Sequence, residues 1–295
     1  MVVVSGASGQ TGSRAALKLL ERGAKVRAVG RSEEKLQFLK DKGAELAIGD
    51  QHDVAFLTKA FRDAQGAYVL IPPKVDAADP RAYYNETGDV IAQAIRDSGI
   101  KKIVFLSSLG ADQESGTGPV LGLHDVEKKL HSIDSIDMVI LRPGYFMENI
   151  LWNIPVIKNQ NINGNPIDPD TKIWMIAAQD IGNRAAELLA DLSFSGHSIE
   201  DLFGQVISYK EATALIGKKI GKEDLPFVRF PDDAALEALK GLGLSQKTAE
   251  AFVELSHGLE QGIVRPTQTD KNKPNAPTTY DAFVSDVFVP AYQAS

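Results

Sequence analysis

The chain of 295 residues contains no cysteine. That excludes disulfides, a thiolate nucleophile and any metal centre built on thiolate ligands. Its five histidines are scattered without the short spacings of a ligand set, so no resident metal is expected. No apolar run approaches the ~20 residues a membrane-crossing helix needs, and the chain enters a strand pattern at Val2 with no leader-like segment before it, so a cytoplasmic protein without membrane association is expected. Basic residues are in deficit, 32 Lys and Arg against 39 Asp and Glu for a net charge of -7. That balance argues against broad nucleic-acid binding, and no helix-turn-helix with a basic face is visible. There are no internal repeats. Asn85-Glu86-Thr87 matches a glycosylation acceptor only formally. What is left, 43% hydrophobic and 24% charged residues, is enough for one large core or two unequal domains.

The most informative segment present is Val2-Val3-Val4-Ser5-Gly6-Ala7-Ser8-Gly9-Gln10-Thr11-Gly12. A β-branched run feeds a glycine loop, and an amphipathic helix with Ala15, Ala16, Leu19 and Leu20 on one stripe follows. Gly6 suits a tight turn, Gly9 lets backbone approach a ligand, and Gly12 lets the helix come close to the sheet. N–H groups at such a helix start, with the dipole behind them, favour a pyrophosphate. Gly6, Ser8, Gly9, Gln10, Thr11 and Gly12 are the candidate phosphate contacts.

The first half then alternates short apolar runs with amphipathic helices, the pattern of a parallel sheet covered on both faces. Strands are expected at 25–29, 44–48, 67–71, 103–106 and 138–141, with helices at about 33–42, 53–61, 82–98 and 122–132. Past Arg142-Pro143-Gly144 the rhythm breaks. Residues 153–171, rich in Asn, Pro, Asp and Gly, suggest a long loop; 178–192 is a further helix with Asp180 near its start. From about 199 the pattern is mostly helical (210–217, 232–240, 245–262), with one extended piece at 226–230. Asp270 to Pro277 has too little apolar surface to order itself. The expected architecture is α/β, a Rossmann-like doubly wound parallel sheet with a smaller, mostly helical C-terminal substrate domain. The sheet domain takes residues 1–150 plus 176–195, the smaller one 151–175 plus 196–295.

In such folds the end of the second strand selects the cofactor, an acid bonding a ribose 2′-hydroxyl and an Arg suiting a 2′-phosphate. Arg31 follows Val29-Gly30, with Ser32 and Lys35 nearby, which favours NADP(H) over NAD(H). Asp50 and Gln51 end the third strand segment within reach of an adenine, although Asp50 also suits a turn or a helix cap. Ile71, Pro72 and Pro73 end the fourth strand, where two prolines remove donors and stiffen a wall beside the cofactor.

The combination of Gly6-Ala7-Ser8-Gly9-Gln10-Thr11-Gly12, Arg31, Gly49-Asp50-Gln51, His124 and Leu141-Arg142-Pro143-Gly144-Tyr145-Phe146-Met147-Glu148-Asn149 resembles the NmrA-like family of atypical short-chain dehydrogenase relatives. Asp180-Ile181-Gly182 and Ser208-Tyr209-Lys210-Glu211-Ala212 extend the likeness over nearly the whole chain. The resemblance implies a Rossmann domain binding NADP(H) and a cleft closed by a small C-terminal domain. It also implies one of two functions. Some members reduce quinones, azo or triphenylmethane dyes, or phenylpropanoid ethers with NADPH, whereas others keep the nucleotide site as redox sensors that dock a regulatory protein partner.

Short-chain dehydrogenases use a Tyr four residues before a Lys, the Lys lowering the phenol pKa. Here His124 takes the Tyr position and Lys128 keeps the Lys, on one face of a helix expected to point at the nicotinamide. The resemblance makes His124 a family variant, and histidine changes charge near neutrality, so it suits either proton donation or a cofactor contact. Ser107 and Ser108 end the fifth strand; a Ser there supports a carbonyl substrate or bonds local backbone. Tyr145, Phe146, Met147 and Asn149 lie where the chain leaves the sheet, lining an apolar pocket or filling the interdomain core. The expected partner is a small-molecule acceptor such as a quinone or azo compound. A homodimer is a further possibility, and the alternative to an enzyme is a non-catalytic NADP(H)-sensing regulator.

Overall fold

The computed structural model describes residues 1–268 and 270–295. The first half builds strictly alternating units: β1 (Val2–Val4), α1 (Gln10–Glu21), β2 (Val26–Gly30), α2 (Glu33–Lys40), β3 (Glu45–Ile48), α3 (Val54–Phe61), β4 (Gly66–Val69), α4 (Pro80–Ser98), β5 (Lys102–Leu106), α5 (Val120–His131) and β6 (Asp137–Pro143). Then follow β7 (Tyr145–Phe146), a 3₁₀ segment (Met147–Asn153), α6 (Ile154–Gln160), β8 (Asn163–Asn165), β9 (Lys172–Ile176) and α7 (Ala178–Asp191). The rest comprises β10 (His197–Leu202), β11 (Gln205–Ser208), α8 (Tyr209–Lys219), β12 (Phe227–Arg229), α9 (Asp232–Gly241), α10 (Gln246–Glu260), α11 (Tyr280–Phe283), a π-helical turn (Val284–Phe288) and α12 (Val289–Ala294).

Seven parallel strands form one sheet in the order β10-β6-β5-β4-β1-β2-β3. Its central strands are buried on both faces, so Val2 and Val4 enter one core while Val3 enters the other. The first core is closed by Ala15 and Leu19 of α1, Leu36 of α2 and Ile181 and Leu189 of α7. The opposite one is closed by Phe61 of α3, Ile91 and Ile95 of α4 and Val126 of α5. The chain therefore winds outward in both directions from β1 and β4, and the crevice at their carboxyl ends is the switch point where such sheets bind ligands. A third core, with Ile157, Ile173, Tyr280, Phe283 and Phe288, holds the smaller unit together. That unit carries the three-stranded sheet β11-β9-β7 and the parallel pair β12 and β8.

Three expectations need correction. Residues 197–202 extend the large sheet as β10, parallel to β6, instead of belonging to the smaller unit. Its His-Ser-Ile-Glu-Asp-Leu reading is too polar to announce a strand because it lies at the sheet edge, where Arg184 pairs with Glu200. The segment 153–171 is not one loop: Pro155 sits in the first turn of α6, where its fixed φ helps the helix start. The stretch after Asp270 is tied down by Asn275, whose Nδ2 donates to the Asp201 carbonyl at 2.7 Å and whose Oδ1 accepts the Phe203 N–H at 2.9 Å.

Candidate functional site

A cleft of about 1100 Å³ runs along the carboxyl ends of the strands. Gly6, Ser8, Gly9, Gln10 and Thr11 line one stretch of it. Gly6 turns the chain with a left-handed φ of +58°, a conformation only glycine adopts without strain. A Cβ on Gly12 would lie 2.3 Å from the Gly6 carbonyl oxygen. Gly12 thus does not line the cleft; it lets the first turn of α1 rest directly under the loop and fixes its shape. The start of α1 has no side-chain cap and no acid in its first turn. The helices α2, α3, α4, α8 and α10 are capped by Ser32, Asp53, Asp79, Ser208 and Ser245 respectively. At α1 the N–H donors and the positive end of the dipole are left for an anion.

Past the loop, Arg31 follows β2 and Asp50, Gln51 and His52 follow β3, all on the cleft wall. The His52 N–H groups hold Asp50 below the ordinary aspartate value, and the Arg31 charge adds to the effect. Gln51 Nε2 is a buried donor without a partner, the kind of orphan a ligand acceptor would satisfy. Ser32 and Lys35 do not line the cleft. The Ser32 hydroxyl accepts the Lys35 N–H at 3.3 Å as the α2 cap, so it is spent on the helix, and Lys35 points out into solvent.

Toward the other end, Ile71, Pro72 and Pro73 form a strap, Ser107 and Ser108 end β5, and Tyr145, Phe146 and Asn149 close the wall. Tyr83 donates to the Pro72 carbonyl at 3.1 Å, and Ser245 at the start of α10 donates its N–H to Val75 at 3.0 Å. Phe252 and Leu255 of the same helix face the cleft beside Trp152, whose ring centroid lies 6.1 Å from that of Phe252. Met147 is the exception among the expected pocket residues. It is buried in the third core, because the 3₁₀ turn carries it away from the cleft side that Phe146 and Asn149 occupy.

The proposed acid/base pair is not assembled. Neither His124 nor Lys128 lines the cleft. The His124 ring is buried with Nδ1 2.8 Å from the Ala111 carbonyl, and since a carbonyl only accepts, Nδ1 carries a proton. Lys128 is exposed and reaches Glu114 at 3.3 Å. The residue of α5 that does reach the strand end is Glu127, three positions after His124. Its buried carboxylate takes the Ser107 hydroxyl and two Arg142 contacts, Nε at 3.0 Å and a terminal nitrogen at 2.5 Å. Ser108 donates to the Leu109 carbonyl at 3.0 Å. Sequence reasoning passed over Glu127, His52 and the α10 aromatic; the pairing of an Arg in Arg142-Pro143-Gly144 with an acid one turn from His124 was the only available hint.

Fold and cleft together define a doubly wound α/β protein with its cleft at the switch point. The chain belongs to the NmrA-like family, whose profile matches residues 1–281. It is 24% identical over 255 residues to an NAD(P)H azoreductase of Xenophilus azovorans, covering 86% of each chain. Among solved structures it resembles the NADPH complex of an NADPH-dependent quinone oxidoreductase from Escherichia coli, at TM-score 0.81, 23% identity, and coverage of 98% of this chain and 100% of that one. It also resembles the NADP(H) complex of Citrobacter sp. triphenylmethane reductase, at TM-score 0.82, 19% identity, and coverage of 97% and 99%. No helix among the described residues is long and apolar enough to cross a membrane.

Proposed function

We propose that this chain is an NADPH-preferring oxidoreductase that reduces a flat, conjugated acceptor such as a quinone or an azo compound. The observation that carries the reading is the continuity of one cleft from an uncapped helix start under a glycine loop to an apolar, aromatic far wall. A dinucleotide fits that course. The loop from Gly6 to Thr11 would hold the pyrophosphate, with Arg31, Asp50 and Gln51 at the adenosine, and the Ile71–Pro73 strap, Ser107 and Tyr145 at the nicotinamide. Arg31 is the group that would favour a 2′-phosphate. When bound, the cofactor supplies a hydride; the chain supplies orientation, exclusion of water and a wall of Phe146, Trp152 and Phe252 for the acceptor.

The test is NADPH oxidation, followed optically against a panel of quinones and azo dyes, with cofactor binding titrated on the same sample. Turnover is expected, and Gly9→Val is expected to abolish both binding and turnover. A Cβ there already sits 3.2 Å from the Gly6 carbonyl, so the added methyls crowd loop and phosphate alike. A second reading, a non-catalytic NADP(H) sensor docking a protein partner, is favoured by one observation: His124 and Lys128 are turned away from the cleft. Tight binding with no turnover across the panel would select it.

A further inference from the structure

Glu148 lies in the 3₁₀ segment between Tyr145 and Asn149, and it lines the cleft with both. Its Oε1 accepts the Ala178 N–H at 2.9 Å, capping α7, whose own N-cap residue Ala177 has no side chain to do so. Its Oε2 is buried and has no partner. An ionised carboxylate with one oxygen desolvated and unpaired is expensive. A carboxylic acid fits the same geometry at low cost, its carbonyl oxygen taking the N–H and its hydroxyl awaiting an acceptor. The charged group acting on it is Asp180, from the first turn of α7, and the neighbouring titratable group on the wall is Tyr145, whose phenol burial raises. No cation among the described residues forms an ion pair with Glu148. Burial, with Asp180 adding a like charge, accordingly pushes the Glu148 carboxyl above the ordinary glutamate value against the lowering pull of the Ala178 N–H.

We propose that Glu148 is the proton donor of the reduction, holding a proton on Oε2 and passing it to the acceptor's carbonyl oxygen or azo nitrogen. The proposal rests on the reductase reading above. Two electrons and one hydrogen reach the acceptor as hydride from the reduced nicotinamide, which is oxidised. The negative charge that develops on the acceptor oxygen or nitrogen takes the Glu148 proton as the Oε2–H bond breaks. The carboxylate left behind is reprotonated from water at the cleft mouth. This places the acid in the 3₁₀ segment after β7 and not on α5, where the dehydrogenase pattern led the sequence reading to look, and explains why His124 can be tied to a backbone carbonyl in a working reductase.

Glu148→Gln keeps the carbonyl acceptor for Ala178 and removes only the transferable proton, so fold and cofactor affinity should persist. Two measurements on the full chain decide the matter. Without cofactor at neutral pH, the infrared spectrum of the wild-type chain should show a protonated-carboxyl band, sensitive to heavy water, that Glu148→Gln lacks. In turnover, Glu148→Gln should lower kcat about 10²-fold with an unchanged dissociation constant for NADPH, and should flatten the alkaline limb of the kcat profile. A variant with wild-type kcat and pH profile, or a spectrum from which no such band is lost, overturns the proposal. If the wild-type chain reduces no acceptor, the reductase reading fails on that result and takes the delivery step with it. The infrared comparison then separately decides whether Glu148 holds the proton.

Discussion

The two ends of the cleft are built from different materials. At the glycine-loop end the wall is backbone: a glycine turn, a bare helix start and the close approach of the Gly6 carbonyl to Gly12. The far end rests on side-chain contacts, with Ser107 on Glu127, Glu127 on Arg142, and Glu148 on the backbone N–H that starts α7. Backbone chemistry follows from where glycines fall along the sequence and tolerates drift in everything around it. Side-chain chemistry follows from which helix face meets which strand end, so one turn of α5 decides whether His124 or Glu127 arrives.

The sharpest way to break the side-chain end is Arg142→Ala. It leaves the Glu127 carboxylate buried without its counter-ion, which costs about 3–5 kcal/mol, with the Ser107 hydroxyl as its remaining partner. Denaturant midpoints should fall accordingly, and retention of wild-type stability would mean the pair is not a buried support. At the adenosine end, Arg31→Glu should weaken NADPH by about 1.5–3 kcal/mol, tenfold or more, while NADH loses much less. Equal losses in the two titrations would remove Arg31 from any 2′-phosphate contact. The smallest effect is expected at Arg81→Ala. Arg81 of α4 grips Asp125 of α5 at 2.7 and 2.8 Å, on the same helix as Glu127 but half in solvent, so the change should cost under about 1 kcal/mol at neutral pH. The Arg81 contact, with Asn85 adding a hydrogen bond, holds Asp125 down to about 2. Its stabilising contribution is complete above the unfolded value near ~3.9 and is lost as pH falls toward the folded one. The acid limb of stability between those values should therefore be shallower in Arg81→Ala.

The same division explains what could be read from the sequence. The order of β1 to β6 with their helices was legible because each strand is centred on a short, mainly apolar run and the helices between them carry apolar stripes. Gly6, Gly9, Arg31, Gln51 and Ser107 all line the cleft, at strand ends that the pattern had already located. β10 was hidden by its polar edge, and α6 by the Asn and Pro content of its surroundings. Met147 and Asn149 are two residues apart, and only the 3₁₀ turn sends one to the core and the other to the cleft. Glu127 and Glu148 read as ordinary surface acids; nothing local says that Arg142, Ser107 and the Ala178 N–H will close around them.

The late arrival of β10 has a consequence for the chain as it is being made. Once Pro143 has left the ribosome, β6 can pair with β5 and complete six strands, yet its outer edge is open. Met138 to Leu141, apolar on both faces, lie along that edge. The partner strand lies roughly sixty residues further on, a wait of roughly 3 to 12 seconds at about 5–20 residues per second. During that interval the nascent chain offers an unpaired strand to any other it meets. Crowded expression should thus favour aggregates seeded at β6, and slower initiation or a bound holdase should relieve them.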